Sequence, residues 1–345
     1  MIMEKPVIDF SKWNPSPPPA PAQQGERRES WADLLEKYRI DITQDYPEPN
    51  YLIKIGDVPT IPTGDIQAIK AKSKNGKSYV ASIFAAAILG NVEFGLSSLT
   101  DEESVLYFDT EQNPRNTARI VRRIHQLCEW SITENSWERF QAFSLRGYPA
   151  SGRLELIQHV VDEFQPAAIF IDGIADLVDS YNDEETAVKL MDDLGKLAID
   201  YDCAVVGVLH TNKAADDNNM KGHLGTMLLQ KSSDVFHVLK DGALFNVEQT
   251  DTRNAPTPSF SFGLDDAAIP VPVADKEQRE REKMKDAYGI FFEHSTTITA
   301  TTAEITRWTE KFFDCKERKA KELIKQAVEW LVLAQPQRGA YKLLS

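Results

Sequence analysis

Gly76, Lys77 and Ser78 are the residues whose types and spacing indicate chemistry most directly. They close the stretch "AKSKNGKS", which follows the apolar segment "DIQAIKA" and opens a helix-like one. Backbone N–H groups at the start of a helix attract anions. The stretch therefore predicts a phosphate-binding loop, in which Lys77 reaches the β and γ phosphates of ATP and Ser78 binds Mg²⁺. The alternative is a helix cap without a ligand. The predicted nucleotide-binding residues are Ala71, Lys72, Ser73, Lys74, Asn75, Gly76, Lys77, Ser78 and Tyr79.

Ala71 departs from the usual pattern of such a loop, G-x-x-x-x-G-K-[ST], which begins with glycine. Glycine there permits a positive φ, whereas alanine in a left-handed conformation costs roughly 1–2 kcal/mol. This cost is small beside the many bonds that a triphosphate makes. We therefore expect Ala71 to bend the loop without abolishing binding.

Acidic side chains follow two further apolar segments. Asp172 ends "AAIFID", where a carboxylate can hold Mg²⁺ through water; the alternative is a structural cap on the strand. The next residue is Gly173, so a catalytic glutamate does not follow directly. Glu111 in "YFDTEQ" is the acid best placed to polarise the attacking water. Asp109 competes for this role, but a structural role at the end of a strand suits it better.

This placement of the glutamate resembles RecA-type ATPases, in which it follows the strand after the phosphate loop. The resemblance implies that His210, at the end of "CAVVGVLH", senses the γ phosphate; a histidine satisfied by local hydrogen bonds is the alternative. It also implies that the polar stretch "NKAADDNNMKGHLGT" lines the channel of a ring, with Lys213 and Lys221 near nucleic-acid phosphates. A surface loop is equally consistent with this stretch.

The segment "TDTRNAPT" resembles the "QRNGPT" segment of DnaB-type replicative helicases. That resemblance implies that Arg253 reaches a neighbouring subunit's γ phosphate as an arginine finger. Asp251 stands where those helicases usually have lysine, and Lys231 is a candidate for the missing cation. A surface arginine in a turn is the alternative for Arg253.

The complete order of these motifs, over about residues 50 to 270, resembles the RepA-type branch of RecA-like ATPases, hexameric helicases of plasmids and other mobile elements. The resemblance implies a homo-oligomer, a hexamer, that hydrolyses ATP with Mg²⁺ and moves along single-stranded DNA. Two alternatives stay open. One is a recombination or mobilisation ATPase without unwinding activity, and the other is a DNA-binding regulator that uses ATP as an assembly switch.

Apolar segments that alternate with helix-like ones must position these residues. The alternation predicts an α/β fold, a RecA-like core whose mostly parallel sheet is covered by helices on both faces. Two helices and a short ribbon near the end of the chain predict a small winged-helix-like domain. We expect a Pro-rich disordered tail over 1–29, an ATPase domain with an N-terminal arm helix over 30–274, and a linker with the winged-helix-like domain over 275–345. The arm helix has Ser30 as its predicted N-cap, and it either docks on a neighbouring subunit or is an ordinary surface helix.

Composition limits the class of protein further. The 345 residues carry a net charge of −14, which argues against a chain coated in nucleic acid but permits a local basic patch. Residues 301–345 hold nine Lys/Arg and six Asp/Glu, a net charge of +3, so the rest of the chain carries −17. Three widely spaced cysteines and the lack of a secretory or membrane-spanning apolar run predict a cytoplasmic protein without zinc and without membrane contact.

Overall fold

The computed structural model describes residues 30–46, 48–90, 92–100, 103–180, 182–212, 219–273, 276–295, 299–337 and 339–344. The predicted tail over 1–29 lies outside them, as does Lys213 in the predicted channel loop. Contacts between residues divide the chain after Asn50. Among the described residues, no helix is long and apolar enough to cross a membrane.

The first unit contains helix α1 (Trp31–Tyr38). Ser30 caps this helix and forms a capping box with Asp33, which confirms the predicted start of the helix. No residue of α1 is buried. Docking of this helix on a neighbouring subunit stays a prediction.

A nine-stranded sheet dominates the second unit, with strand order β12-β11-β10-β9-β3-β8-β7-β5-β6. Six neighbouring strands of this sheet are parallel, in the order β9, β3, β8, β7, β5 and β6. Strands β10, β11 and β12 extend the sheet beyond β9 with antiparallel pairing. Parallel strands place their carboxyl ends at one edge of the sheet, where ligand sites of α/β proteins form. The strands are β3 (Ile66–Ala71), β5 (Val105–Asp109), β6 (Phe140–Ser144), β7 (Ala168–Asp172), β8 (Ala204–His210), β9 (Asp234–Asp241), β10 (Leu244–Thr252), β11 (Phe260–Leu264) and β12 (Pro270–Val273).

Two hydrophobic cores lie on opposite faces of this sheet. On one face, α2, α3 and a small antiparallel sheet pack against the strands. On the other face, α4, α5 and α6 cover the strands. Helices on both faces explain why β5, β7 and β8 are apolar along nearly their whole length. The covering elements are β1 (Tyr51–Ile55), β2 (Val58–Pro62), β4 (Leu96–Ser98), α2 (Lys77–Leu89), α3 (Pro114–Leu127), α4 (Ala150–Phe164), α5 (Glu184–Asp200) and α6 (Gly222–Lys231).

The predicted mostly parallel sheet with helices on both faces is confirmed, but part of the predicted channel loop is not a loop. Its last residues form the start of α6, which begins at Gly222. Gly225 in this helix lies against the backbone of Met220, where a Cβ would come within 2.5 Å of the carbonyl carbon. Gly225, the second glycine in "GHLGT", is therefore needed for close packing at the start of α6.

The end of the chain forms a separate small core around Met284, Tyr288 and Leu333. Its elements run in the order helix, strand, two helices and a two-stranded ribbon, and its sheet has the order β13-β15-β14. From Lys276, the segment that was predicted to begin with a linker forms the first of these helices. The elements are α7 (Lys276–Glu293), β13 (Ala300–Thr301), α8 (Thr302–Phe313), α9 (Glu317–Glu329), β14 (Leu333–Gln337) and β15 (Ala340–Leu343).

Candidate nucleotide-binding site

The predicted phosphate loop joins the central strand β3 to α2. Helix α2 starts at Lys77 after Gly76, and it has no side-chain cap, so its N-terminus offers backbone N–H groups to an anion. Positive φ angles occur at Lys74 (63°) and Gly76 (90°). The expectation that Ala71 would be strained was wrong, because Ala71 is the last residue of β3 and pairs with His210 of β8. A position with an extended backbone does not have to be glycine.

The β9–β10 hairpin holds the loop from outside. A Cβ on Gly76 would lie 2.6 Å from the Phe245 ring, so this glycine is required by space as well as by its φ of 90°. Phe245 stacks on Phe262 with ring centroids 4.8 Å apart, and the ring of Tyr79 lies 6.0 Å from that of Phe245. An aromatic cluster thus fixes the turn that leads into α2.

Ser78 and Asp172 meet at the start of α2. The Ser78 hydroxyl donates to Oδ2 of Asp172 at 2.5 Å, and the Tyr107 hydroxyl donates to the same oxygen at 2.8 Å. Burial raises the pKa of Asp172, while the hydrogen bonds from Ser78 and Tyr107 oppose that change. Burial also raises the pKa of Tyr107 well above its ordinary value, so the phenol stays a donor.

Lys77, His210 and Glu111 form a second chain of contacts. Nζ of Lys77 lies 2.6 Å from Nδ1 of His210, and Nε2 of His210 lies 3.4 Å from Oε1 of Glu111. Burial lowers the pKa of Lys77 to about 8, against the opposing charges of Asp172 and Glu111. The hydrogen bond with His210 lowers the pKa of Glu111, which stays ionised near neutral pH.

The chemistry of the donors assigns the His210 tautomer. A lysine ammonium group has only donors, so Nδ1 of His210 must accept from it. The ring proton is then on Nε2 and points toward Glu111. His210 therefore links the cation of the phosphate loop to the carboxylate at the end of β5.

Gly173 provides the space that Glu111 occupies. Its φ is +102°, and a Cβ there would lie 2.6 Å from Cγ of Glu111 and 2.8 Å from the Thr110 hydroxyl. The Thr110 hydroxyl donates to the carbonyl of Gly173 at 2.8 Å and thereby joins the ends of β5 and β7. Glu111 can therefore take its position only because the residue after Asp172 has no side chain.

Asp109 has a different environment from Glu111. Its side chain is fully buried and accepts hydrogen bonds from the N–H groups of Glu111 and Gln112 and from the Thr117 hydroxyl. These bonds fix the turn between β5 and α3. The arrangement is that of a structural carboxylate.

Arg253 lies away from the other predicted catalytic residues. It follows Thr252, which pairs with Asp234 at the beginning of β9, beside the amino end of β3. The phosphate loop follows the other end of β3, roughly 13 Å along the strand. The Arg253 guanidinium donates to the carbonyl of Gln230 at 3.0 Å and so caps the end of α6.

The two other residues that sequence analysis associated with Arg253 have partners in the same chain. Oδ2 of Asp251 lies 3.9 Å from Nζ of Lys70, and Nζ of Lys231 lies 3.4 Å from Oδ1 of Asp192. The structure thus brings Lys77, Ser78, Glu111, Asp172 and His210 together at the carboxyl ends of the strands. Arg253 lies near the opposite, amino ends of the strands.

The residues present fit a magnesium–nucleotide complex. Mg²⁺ prefers hard oxygen ligands and is usually held by one or two protein oxygens together with substrate phosphates. The Ser78 hydroxyl and the Asp172 carboxylate lie side by side next to the uncapped start of α2. Within the described part of the chain, no group of three or more His, Cys, Asp or Glu side chains could hold a metal ion.

This strand–loop–helix unit, with a lysine and a serine at the helix start and an aspartate at the end of a nearby parallel strand, defines a P-loop nucleoside triphosphatase. Comparison with protein families agrees: a family model described as an AAA domain, AAA_25, matches residues 34–216, just over half of the chain. The chain belongs to this family. No curated protein matches it significantly.

Two further residues at the site, Tyr107 and Arg123, do not stand out from the sequence. The Arg123 guanidinium lies 4.0 Å from the centre of the Tyr79 ring and points one nitrogen at the Ser78 carbonyl, 3.4 Å away. Tyr107 lies in an apolar strand, where its hydroxyl needs a partner because buried polar groups are nearly always hydrogen-bonded. That requirement was the available signal, but only the fold shows that the partner is Asp172.

Proposed function

We propose that the protein is an ATP-dependent, ring-forming motor on single-stranded DNA, of the RepA-type branch of RecA-like ATPases, and that it acts as a helicase of a plasmid or other mobile element. The contact chain Lys77–His210–Glu111 is the observation that carries this proposal. It connects the phosphate loop after β3 to the carboxylate that follows β5, although β8 and β7 lie between these strands, and so it supports the RecA-type arrangement.

In the proposed mechanism, each side chain has one task. Lys77 and the uncapped start of α2 bind the phosphates, and Ser78 and Asp172 would hold Mg²⁺, whose charge would stabilise the phosphates. Glu111 orients the attacking water and accepts its proton. His210 reports the state of the γ phosphate to the stretch that follows β8.

Arg253 has its proposed role in the neighbouring subunit's site. The segment that contains Arg253 lies beside the amino end of β3, whereas the phosphate loop follows the carboxyl end, and this placement favours a role at another subunit's nucleotide. A finger supplied in trans stabilises charge on the transferring phosphoryl group. This role requires a ring, and we propose a hexamer.

The C-terminal elements support a DNA-binding module. Their order and the sheet order β13-β15-β14 match the proposed winged helix, and the segment 301–345 is positively charged. The Lys and Arg side chains of α9 are partly neutralised by glutamates of the same helix, for example Lys321 by Glu317 at 2.6 Å. We therefore propose that this module assists the motor and does not act as a high-affinity regulator by itself.

The experiment that tests this function compares Glu111→Gln with the wild type. We expect ATP turnover that single-stranded DNA stimulates, strand displacement, and a hexameric mass by native mass spectrometry. Glu111→Gln should bind ATP and DNA as a stable ring while turnover falls by a factor of about 10² to 10⁴, the usual contribution of general base catalysis.

Asp109→Asn is the matched control for the removed carboxylate charge. It should lower the melting temperature and leave more turnover than Glu111→Gln, because Asp109 holds a turn. Normal turnover in Glu111→Gln together with an inactive, folded Asp109→Asn would contradict the assignment of the base. Turnover without strand displacement would favour the ATPase that does not unwind DNA.

A further inference from the structure

Tyr107 lies beneath the candidate magnesium site. Its side chain is fully buried in β5, and its ring stacks on Phe170 of β7 with an interplanar angle of 11°. Its hydroxyl donates to Oδ2 of Asp172 at 2.8 Å. The ring is fixed by packing, so the direction of this hydrogen bond is fixed as well.

Ser78 and Tyr107 share one oxygen of Asp172. Among the described residues, they are the two side chains that donate to this carboxylate. Ser78 belongs to the phosphate loop, whereas Tyr107 reaches Asp172 from within the sheet. The hydrogen bond from the Tyr107 hydroxyl to Asp172 therefore links Tyr107 to the site.

We propose that Tyr107 is a positioning residue that holds the Asp172 carboxylate correctly oriented for the magnesium–nucleotide complex. The inference rests on the proposed function of the site. The ring of Tyr107 is held by its stack on Phe170, so the hydrogen bond from its hydroxyl fixes the direction of the Asp172 carboxylate.

The test uses the full chain with Tyr107→Phe, which keeps the ring and removes the hydroxyl. Binding of a non-hydrolysable ATP analogue is titrated at increasing Mg²⁺ and again in EDTA. We expect the half-saturating Mg²⁺ concentration to rise roughly tenfold, in line with loss of one hydrogen bond to a charged group. Affinity in EDTA should stay unchanged.

Tyr107→4-aminophenylalanine, which keeps a donor at this position, gives a second measurement that a purely structural role would not change. It should recover much of the Mg²⁺-dependent gain in affinity that Tyr107→Phe loses.

Tyr288→Phe is the matched control, since Tyr288 is also fully buried and its hydroxyl meets Thr309 at 3.1 Å in the separate C-terminal core. It should leave the Mg²⁺ titration unchanged. If Tyr107→Phe folds and shows the wild-type Mg²⁺ dependence, the inference is wrong although the nucleotide site stands. If Tyr107→Phe unfolds, a folded 4-aminophenylalanine variant that lacks the Mg²⁺-dependent gain would also overturn it. A wild-type protein that binds no nucleotide would instead contradict the proposed function.

Discussion

At the scale of single residues, Lys77 determines how nucleotide affinity depends on pH. Its side chain is buried, and its pKa lies near 8, so the ammonium form becomes a minority above that pH. Phosphate binding requires the ammonium form, so above pH 8 binding must be accompanied by proton uptake. We expect nucleotide affinity to fall as pH rises through 8, by up to tenfold per pH unit.

This dependence is measured by isothermal titration with ADP between pH 7 and 9.5, where the ADP phosphates themselves no longer titrate appreciably. Lys77→Ala should bind weakly and without the change above pH 8, and its melting temperature should show that the fold is intact. Lys196→Ala, a surface change on α5, serves as the control. A flat wild-type affinity across this range would show that Lys77 does not meet the phosphates as an ammonium group.

Gly173 gives a second prediction at this scale. In Gly173→Ala, the new Cβ would lie 2.6 Å from Cγ of Glu111, so the glutamate must move. We expect turnover to fall at least tenfold while nucleotide affinity changes by no more than about twofold. Gly242→Ala is the matched control, because Gly242 also has a positive φ (58°) but its Cβ would meet nothing within 4 Å. Both variants carry left-handed strain of roughly 1–2 kcal/mol. Equal turnover in the two variants would mean that strain, and not displacement of Glu111, causes the effect.

At the scale of elements, the β9–β10 hairpin supports the phosphate loop through Phe245. Phe245→Ala should destabilise the fold by roughly 3–5 kcal/mol and also weaken nucleotide binding at least fivefold, because Gly76 loses the ring that confines it. Phe260→Ala removes a similar ring from β11, which packs near Phe84 and Phe94, away from the loop.

The comparison separates support of the loop from general stability. Free energies of unfolding come from urea titration, and nucleotide affinity is measured below the transition of both variants. We expect similar losses of stability and a loss of affinity in Phe245→Ala alone. If both variants bind nucleotide equally well, the hairpin does not hold the loop in its binding conformation.

At the scale of the whole molecule, Arg253 tests whether the site is shared between subunits. It lies near the amino ends of the strands, whereas Lys77 lies near their carboxyl ends, so we expect any catalytic role of Arg253 to be at a neighbouring subunit's site. Arg253→Ala and Lys77→Ala should each be inactive, since loss of an arginine finger lowers the rate by about 10³ to 10⁵. A mixture of the two inactive proteins should recover part of the activity, because some interfaces then combine an intact Lys77 with an intact Arg253.

Subunit exchange in the mixture is verified by native mass spectrometry of labelled chains. Arg253→Lys provides a variant that keeps the charge at this position. Full activity of Arg253→Ala alone would reduce the residue to its observed role as a cap on α6. No recovery despite exchange would indicate strictly coupled sites or a residue that acts within one chain.

The sequence by itself determined the elements that hold the site and the residue types in it. The strand–loop–helix unit around Gly76, the apolar strands that end at Asp172 and His210, and the glutamate at the end of "YFD" are local patterns. Each pattern can be recognised from residues adjacent in the chain, such as an apolar run followed by glycine or by a helix-forming segment. Local patterns of this kind are sufficient to place side chains at the carboxyl edge of a parallel sheet.

The tertiary structure alone decided which of these side chains meet. Strand order puts β8 between β3 and β7, so His210 lies between Lys77 and Glu111. It also brings Tyr107 to Asp172 and Phe245 to Gly76, over separations of 65 and 169 residues that no local pattern encodes. The same packing shows that Ala71 is unstrained and that Gly173 makes room for Glu111. These relations depend on close packing between strands and helices distant in the chain, and that packing exists only in the folded protein.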